Sequence, residues 1–164
     1  MKKIAIISDT HNHYEKELIN YASQCDEIWH AGDIGSLQLA DDIAQIKPLR
    51  AVYGNIDGKD VRSEYSEINL FECEGVKVMI KHIVGYPGKY DLQMRELLLQ
   101  HKPNLLVAGH SHICKVMYDK HYDLLFVNPG ALGLSGFHKV RTMVRLTIDN
   151  GAMKDCEVIE LSKR

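Results

Sequence analysis

Near its start the chain reads Ile4-Ala5-Ile6-Ile7-Ser8-Asp9-Thr10-His11. Four consecutive apolar residues, three of them β-branched, predict a short strand that is buried on both faces. A carboxylate, Asp9, and an imidazole, His11, follow this strand. Because ligands of open α/β sheets bind just beyond the carboxyl ends of the strands, these side chains are candidate oxygen and nitrogen ligands of a metal ion. The alternative is that Asp9 or Thr10 caps a following helix.

The composition is typical of a soluble globular protein. The chain has 164 residues, of which 45% are hydrophobic and 26% are charged, and its formal net charge is −2. This length predicts one domain, residues 1–164, with a core of its own. The charge argues against an extended nucleic-acid surface, since such surfaces are usually strongly basic. It does not exclude a small ligand that bears phosphate, because a bound metal can supply positive charge.

Cysteine usage and hydropathy predict the location of the chain. The four cysteines are scattered, without a Cys-x-x-Cys pair, and this favours small buried side chains in a reducing compartment. The apolar run after Met1-Lys2-Lys3 ends at Ile7, which is too short for the apolar part of a signal peptide. No stretch approaches the length of a transmembrane span. We therefore expect a cytoplasmic protein without a membrane partner.

The first third of the chain alternates strands and helices. Short apolar runs predict strands over residues 4–7, 26–30 and 49–53, and helical spacing of apolar residues predicts helices over 14–24 and 37–45. Each strand ends in a loop that contains Gly or Asp. The order strand, helix, strand, helix, strand predicts a parallel sheet with a functional site along one edge.

The remainder of the chain is richer in strands. A hairpin is predicted over residues 66–82, a helix over 90–100 and a buried strand over 104–108. Two further pairs of strands are expected over 113–127 and 140–161, the second around an Asp-Asn-Gly turn. The predicted fold class is therefore α/β.

Seven side chains of the types that bind metals follow five of the predicted strands. They are Asp9, His11, Asp33, Asn55, His82, His110 and His112. Taken singly, each has an ordinary explanation, such as a turn or a cap for Asp33 and Asn55. All seven lie at strand ends and none lies within a predicted helix, so one shared site explains them better than seven coincidences.

The spacing within two of the motifs restricts the local backbone. Asp9 and His11 have one residue between them, as do His110 and His112. Residues at i and i+2 point to opposite faces of a strand and lie about 200° apart on a helix, so each pair converges only in a turning loop. Seven ligands exceed the four that a zinc ion usually takes. They suit two ions about 3.5–4 Å apart that share a carboxylate, an arrangement used in phosphoryl chemistry.

In their order along the chain, these motifs resemble the calcineurin-like metallophosphoesterases. The motifs are Asp-x-His at Asp9, Gly-Asp at Asp33, Gly-Asn at Asn55, a lone strand-end histidine at His82, and Gly-His-x-His at His110 and His112. The compact length, His30-Ala31-Gly32-Asp33 and Asn128-Pro129-Gly130 are most similar to the small bacterial and archaeal phosphodiesterase subfamily. The retromer subunit of the same fold resembles these enzymes but acts by binding proteins.

The resemblance implies a four-layer αββα sandwich, in which helices flank two mixed β-sheets. It also implies two divalent transition-metal ions, commonly manganese, iron, zinc or nickel. Transferred to this chain, Asp9, His11 and His112 hold the first ion, Asn55, His82 and His110 hold the second, and Asp33 bridges both. A hydroxide between the ions would attack the phosphorus of a small phosphodiester substrate, and Asn55 and Asp33 are the residues implied in catalysis.

The departures from the family pattern concern the substrate. Larger members have a histidine directly after Gly-Asn that is taken to protonate the leaving group, and Ile56 stands at that position. Ser36-Leu37 replaces the Asp-Arg of larger members, and Ile83 stands where the family usually has Gly, so a different local turn is expected there. No substrate-binding arginine is found in the stretch 131–138.

Three readings of the function therefore remain open. The absent acid favours a phosphodiesterase over a phosphomonoester phosphatase, and the complete set of candidate ligands disfavours a scaffold that only binds proteins. A large DNA-repair nuclease does not fit the short length and near-neutral charge. His13, His30 and His138 are expected to line the pocket or to have surface or packing roles, and His13 is the first candidate for another acid. The sequence is compatible with a homo-oligomer.

Overall fold

The computed structural model describes residues 1–163, which form ten β-strands and four α-helices. In chain order these are β1 (Lys2–Ile7), α1 (Leu18–Ala22), β2 (Glu27–His30), α2 (Leu37–Ile46), β3 (Leu49–Ala51), α3 (Lys59–Glu64), β4 (Ile68–Cys73), β5 (Val76–Lys81), α4 (Leu92–His101), β6 (Leu105–Val107), β7 (Cys114–Asp119), β8 (Leu124–Pro129), β9 (Arg141–Asp149) and β10 (Ala152–Leu161). The strands belong to two sheets of five strands each. The predicted α/β class is confirmed.

Both sheets are mixed. The first has the order β10-β9-β1-β2-β3, with β1, β2 and β3 parallel and β9 antiparallel to its two neighbours. The second has the order β4-β5-β6-β8-β7, with β5, β6 and β8 parallel and the two edge strands antiparallel. The predicted turn between β9 and β10 is present, with Asn150 and Gly151 at φ values of 47° and 83°.

The alternation of side chains along the central strands creates three apolar cores. On β1, Ile4 and Ile6 face the second sheet, whereas Ile7 faces the side of α1 and α2. On β5, Met79 faces α4, where it packs with Met94. Successive residues of a strand point to opposite faces, so the central strands of both sheets are buried on both faces. The result is a layer of helices, two sheets and a second helical layer, as the resemblance implies.

The first helix is shorter than the sequence predicts. Apolar spacing predicts a helix over 14–24, whereas α1 begins at Leu18. The Glu15 carboxylate accepts a hydrogen bond from the backbone N–H of Glu17 and forms an ion pair with Arg141 of β9. These contacts fix the stretch before α1 in a non-helical conformation and tie it to the first sheet.

Helix α3 was not predicted. Of its residues, Val61 is the buried one, and the others are polar or charged side chains that face the surface. A single apolar residue gives no period that could identify a helix. The helix follows the loop that contains Asn55 and therefore lies beside the candidate site.

Two further expectations concern location. No helix within residues 1–163 is long and apolar enough to cross a membrane. The four cysteines are free thiols. Cys25 and Cys73 are buried, as predicted, whereas Cys114 is half-buried and Cys156 is exposed on the edge strand β10.

Candidate metal centre

Left-handed backbone conformations turn the candidate ligands toward one another at the strand ends. Five of the seven have positive φ values: Asp9 (53°), His11 (44°), Asp33 (56°), His110 (76°) and His112 (63°). Such a conformation costs of order 1–3 kcal/mol for a non-glycine residue and persists where the surrounding structure enforces it. The predicted turning loops are therefore present in both Asp-x-His and His-x-His, and they bring the side chains at i and i+2 to one side.

Backbone hydrogen bonds join the loops that follow β1 and β2. The N–H of Asp9 donates to the carbonyl oxygen of Gly32 at 3.0 Å, and the N–H of His11 donates to that of Asp33, also at 3.0 Å. The loop after β3 packs as closely, since a Cβ at Gly54 would lie 2.1 Å from Asp33 Oδ1. Only glycine permits this approach of the backbone to the carboxylate.

The first group of candidate ligands comprises Asp9, His11 and His112, whose ligand atoms lie within 4.8 Å of one another. Asp9 Oδ1 is 3.2 Å from His112 Nε2 and 3.8 Å from His11 Nε2. The other oxygen, Oδ2, accepts hydrogen bonds from the Ser8 hydroxyl and the His110 N–H, at 2.6 and 3.1 Å. Its orientation is therefore set by the protein, and Oδ1 faces the two imidazoles.

The second group comprises Asp33, His82 and His110, again within 4.8 Å of one another. Asn55 belongs with it, because its Oδ1 is 3.1 Å from both His82 Nε2 and His110 Nδ1. Asp33 Oδ2 lies between the groups, 3.3 Å from His11 Nε2 and 3.3 Å from His82 Nε2. Asp33 Oδ1 accepts a hydrogen bond from the N–H of Ile56. One carboxylate is thus placed as a bridge between two sites.

The polar atoms of the centre fit metal ions. Asp9 Oδ1 and His11 Nε2 are buried and have no hydrogen-bond partner among the described residues. A buried carboxylate oxygen without a partner is costly, and a cation between these atoms removes the cost. Nitrogen and oxygen donors in this number suit divalent transition metals.

The surroundings of His82 also favour a positive charge in the centre. Its Nδ1 is 2.7 Å from the carbonyl oxygen of Ala31, which only accepts hydrogen bonds, so Nδ1 is protonated. Nε2 then faces the oxygens of Asp33 and Asn55. Burial alone would lower the pKa of His82, but the hydrogen bond to Asp33 and the charge of Asp9 outweigh burial and raise the pKa. Either a second proton or a metal ion satisfies this atom.

The pKa of Asp9 is shifted in the opposite direction to that of His82. Burial alone would raise the pKa of its carboxyl group, but the neighbouring imidazoles of His11, His112 and His82 hold the pKa well below its ordinary value. Asp9 is therefore ionised throughout the physiological range, although its side chain is 0% exposed. An ionised carboxylate in this position is a metal ligand in its binding form.

Asp57 supports the centre, and sequence reasoning did not identify it. Its Oδ2 accepts hydrogen bonds from the N–H groups of Ile34 and Gly54, at 3.1 and 2.8 Å, and its Oδ1 accepts one from Gly35 at 2.8 Å. The buried carboxylate thus joins the loop of Asp33 to the loop of Asn55. Its only sequence signal is an Asp in a glycine-rich turn, which any turn provides.

Three other histidines lie near the seven candidate ligands, each in different surroundings. His30 is fully buried: Nδ1 accepts from the N–H of Gly32 and Nε2 donates to the Thr10 hydroxyl, at 3.1 and 3.0 Å. Burial lowers the pKa of His30 to about 4, so this residue is a neutral support. His13 Nε2 is 3.4 Å from Glu15 Oε2. His138 contacts His112.

A cleft of about 340 Å³ opens beside the second group. Asn55 and His82 form part of its wall, together with Tyr53, Arg62 and Lys81. The Arg62 guanidinium lies over the Tyr53 ring, 4.5 Å from its centroid, and donates to the carbonyl oxygen of Asp57. A ligand in this cleft, beside the candidate metal site, meets an aromatic ring, two cations and the carboxylates of Glu67 and Asp91.

Comparison with known proteins agrees with this geometry. The model of the calcineurin-like phosphoesterase superfamily domain matches residues 1–151. A probable metallophosphoesterase of Methanothermobacter thermautotrophicus is 29% identical over 161 residues, which are 95% of this chain and 91% of that protein.

Two solved structures show the same fold. One is a novel archaeal phosphodiesterase, with a TM-score of 0.77 and 23% identity, over 97% of this chain and 99% of the other. The second is Vps29 of Entamoeba histolytica in complex with zinc, with a TM-score of 0.69 and 15% identity, over 96% of this chain and 98% of the other. At these identities the two structures establish the shared architecture.

Proposed function

This chain belongs to the calcineurin-like phosphoesterase superfamily, and on this premise we propose that it is a phosphodiesterase that uses two divalent transition-metal ions. The family is metal-dependent, and the chain has two candidate metal-binding groups. The observation on which the proposal depends is the position of Asp33 Oδ2 between these groups, 3.3 Å from one imidazole of each. A carboxylate in this position is able to bridge two ions at the short separation of a two-metal site.

We assign the ligands as follows. Asp9, His11 and His112 would hold the first ion, Asn55, His82 and His110 would hold the second, and Asp33 would contribute to both. The mixture of imidazole, carboxylate and amide donors favours manganese, iron, zinc or nickel over magnesium or calcium. When bound, such ions lower the pKa of water and neutralise charge on phosphoryl oxygens.

The residues of the chain orient these donors before a substrate binds. Ser8 and the N–H of His110 fix the Asp9 carboxylate, and the N–H of Ile56 fixes that of Asp33. Preorganised donors need no rearrangement as charge develops in the reaction. Asn55 lies at the border between the second group and the cleft, and for this reason we expect its amide to contact the phosphate as well as the ion.

Two features support a diester over a monoester. The side chain of Ile56 is 47% exposed beside the centre and has no proton to donate, so an alkoxide leaving group receives no help there. The cleft beside Asn55 offers space for a second ester substituent, which a monoester does not have. We infer a small phosphodiester with a good or strained leaving group, and a cyclic diester is one candidate.

A protein-binding scaffold is the second candidate, because the fold is shared with Vps29. That Vps29 structure contains zinc, so metal binding by itself does not separate an enzyme from a scaffold, whereas turnover does. The free thiols of all four cysteines support a cytoplasmic location within the same proposal.

Hydrolysis of bis(p-nitrophenyl) phosphate tests the proposal. The purified chain is freed of metal and reconstituted separately with manganese, nickel, zinc and iron, with p-nitrophenyl phosphate as the matched monoester. We expect metal-dependent hydrolysis of the diester that chelation abolishes, and slower hydrolysis of the monoester. A chain that binds two ions but hydrolyses neither ester with any of these metals contradicts the enzyme and favours the scaffold.

A further inference from the structure

His138 lies beside His112, one of the ligands assigned to the first ion. Their Nδ1 atoms are 3.2 Å apart, and their rings meet edge to face with centroids 5.0 Å apart. His138 belongs to the loop between β8 and β9, 26 residues further along the chain. Both atoms are ring nitrogens, so one of them donates the hydrogen bond and the other accepts it.

The second nitrogen of His138 determines the direction of this hydrogen bond. Its Nε2 is 2.9 Å from the carbonyl oxygen of Gly133. Because a carbonyl oxygen only accepts hydrogen bonds, Nε2 bears the proton of the neutral imidazole. Nδ1 of His138 is then the acceptor, and Nδ1 of His112 is the donor.

This direction leaves Nε2 of His112 without a proton. That atom is 3.2 Å from Asp9 Oδ1, within the first ligand group. An imidazole binds a metal through an unprotonated nitrogen, so the hydrogen bond selects the tautomer that binding requires. Metal-binding histidines usually donate their other N–H to a carboxylate, a carbonyl or water. Here the acceptor is an imidazole whose own tautomer is set by a backbone carbonyl.

The loop that contains His138 is fixed to its surroundings. The N–H of Gly133 donates to the carbonyl oxygen of Asp9 at 3.1 Å, so the residue that sets the tautomer of His138 is itself bound to the end of β1. Lys163 Nζ donates to the carbonyl oxygens of Gly136 and His138, each at 2.6 Å. The imidazole of His138 is therefore held in place from both sides of the loop.

We propose that His138 is a positioning residue, which accepts a hydrogen bond from His112 and so keeps His112 in its metal-binding tautomer. The inference rests on the proposed metal centre and assigns His138 no contact with substrate or ion. Without this acceptor, His112 divides between two tautomers, and the fraction with a free Nε2 falls. Loss of such a partner typically lowers metal affinity 10–100-fold, and we expect the loss at the first ion.

Two measurements on the full chain test this inference. Side-chain ¹⁵N spectra of histidine-labelled protein near pH 8 report the tautomer of His112 with and without zinc. Zinc titrations followed by the signals of His11 and His82 report the two sites separately. In the wild type we expect a proton on Nδ1 of His112 both with and without zinc. In His138→Leu we expect a mixture of tautomers and weaker binding at the first site only.

Two further variants separate the hydrogen bond from packing. In His138→Gln the carboxamide can accept from His112 and donate to Gly133, so it should restore most of the affinity and the Nδ1–H tautomer. His121→Leu removes an imidazole from the turn between β7 and β8 and should change neither measurement. Thermal unfolding of each variant shows whether it is folded.

The inference and the proposed function fail in different ways. If the wild type binds no transition metal, the proposed function fails, while the metal-free spectra still test His138. Zinc coordination by His138 itself would overturn the positioning role. So would an unchanged His112 tautomer in folded His138→Leu, or equal losses of affinity in the Leu and Gln variants, which would indicate packing.

Discussion

The two ligand groups differ in how completely the protein encloses them. In the first, Asp9 is fully buried and His11 and His112 are half-buried. In the second, His82 is buried but Asn55 and His110 are exposed, and the group borders the cleft. The bridging residue, Asp33, is buried between them.

Because of this difference in burial, we expect the two sites to have different roles. The first group has two buried atoms without partners, one of which belongs to an ionised carboxylate, so the gain from binding an ion is large there. The second has a neutral amide ligand in contact with solvent, and that ligand also faces the space for a substrate. We expect the first ion to be bound more tightly and the second to be closer to the reacting phosphate.

The largest effect is expected from Asp33→Ala, which removes the ligand shared by both groups. Most of both ions should be lost, and diesterase activity should fall by about 10³-fold or more, since bound ions provide several kcal/mol of transition-state stabilisation. Elemental analysis and rates measured on the same samples check this. A wild type that binds a single ion stoichiometrically would contradict the two-ion assignment.

The next effect separates the groups. His11→Ala should mainly empty the first site and leave about one ion per chain, whereas Asn55→Ala should retain the first ion. Asn55→Ala should nevertheless lower the diesterase rate about 10–100-fold, the loss typical of one removed polar contact to a metal or its charge. Metal titration beside initial rates makes the comparison. Loss of both ions in either variant would mean that the sites are not independent.

Acid should weaken a support that both groups share. The imidazole of His30 forms hydrogen bonds with Thr10, near the first group, and with Gly32, next to the bridging residue Asp33. Burial lowers the pKa of His30 in the folded protein to about 4. The unfolded chain binds a proton at an ordinary pKa of about 6.5. Between these two pH values the unfolded state binds more protons than the folded state. The free energy of unfolding therefore falls as the pH drops from about 6.5 to about 4, and His30 contributes roughly 3 kcal/mol to this fall.

The measurement is urea unfolding of metal-free wild type and His30→Gln across that pH range. Contributions of the other histidines are common to both proteins and cancel in the difference. The free energy of unfolding of His30→Gln should therefore fall less steeply toward acid. Parallel curves would show that His30 does not titrate between the folded and unfolded states as described.

The sequence predicts much of this centre because its ligands follow apolar runs. A strand of β-branched residues such as β1 identifies its own end, and Asp9 and His11 are the next polar groups. The structure brings all seven predicted residues together. The supports were harder to predict, because Asp57 and His138 act through hydrogen bonds to residues distant in the chain. Helix α3 was missed because Val61 alone is buried in it, and α1 was overestimated because Glu15 binds Arg141 instead of continuing the helix.

The smallest effect is expected at the open side of the centre, at Ile56. A leaving alkoxide needs a proton in the transition state, whereas nitrophenolate, with its low pKa, hardly does. A positioned general acid typically contributes 10²–10⁴-fold. Without one, the rate should depend steeply on the pKa of the leaving group. Ile56→His should accelerate alkyl esters more than nitrophenyl esters, by about tenfold at most, because the new imidazole is not preorganised.

A series of substituted phenyl and alkyl diesters measures this dependence, with Ile56→Asn as a polar control that donates no proton. The substitution lies beside the exposed second group, so the metal content of the first site should not change, and this keeps the two halves of the centre distinguishable. A flat dependence on leaving-group pKa, with chemistry shown to be rate-limiting, would mean that another residue supplies the proton. His13 is then the first residue to replace, and His13→Gln should make the dependence steep. Its Nε2 is 3.4 Å from the carboxylate of Glu15, a contact that holds one edge of the ring.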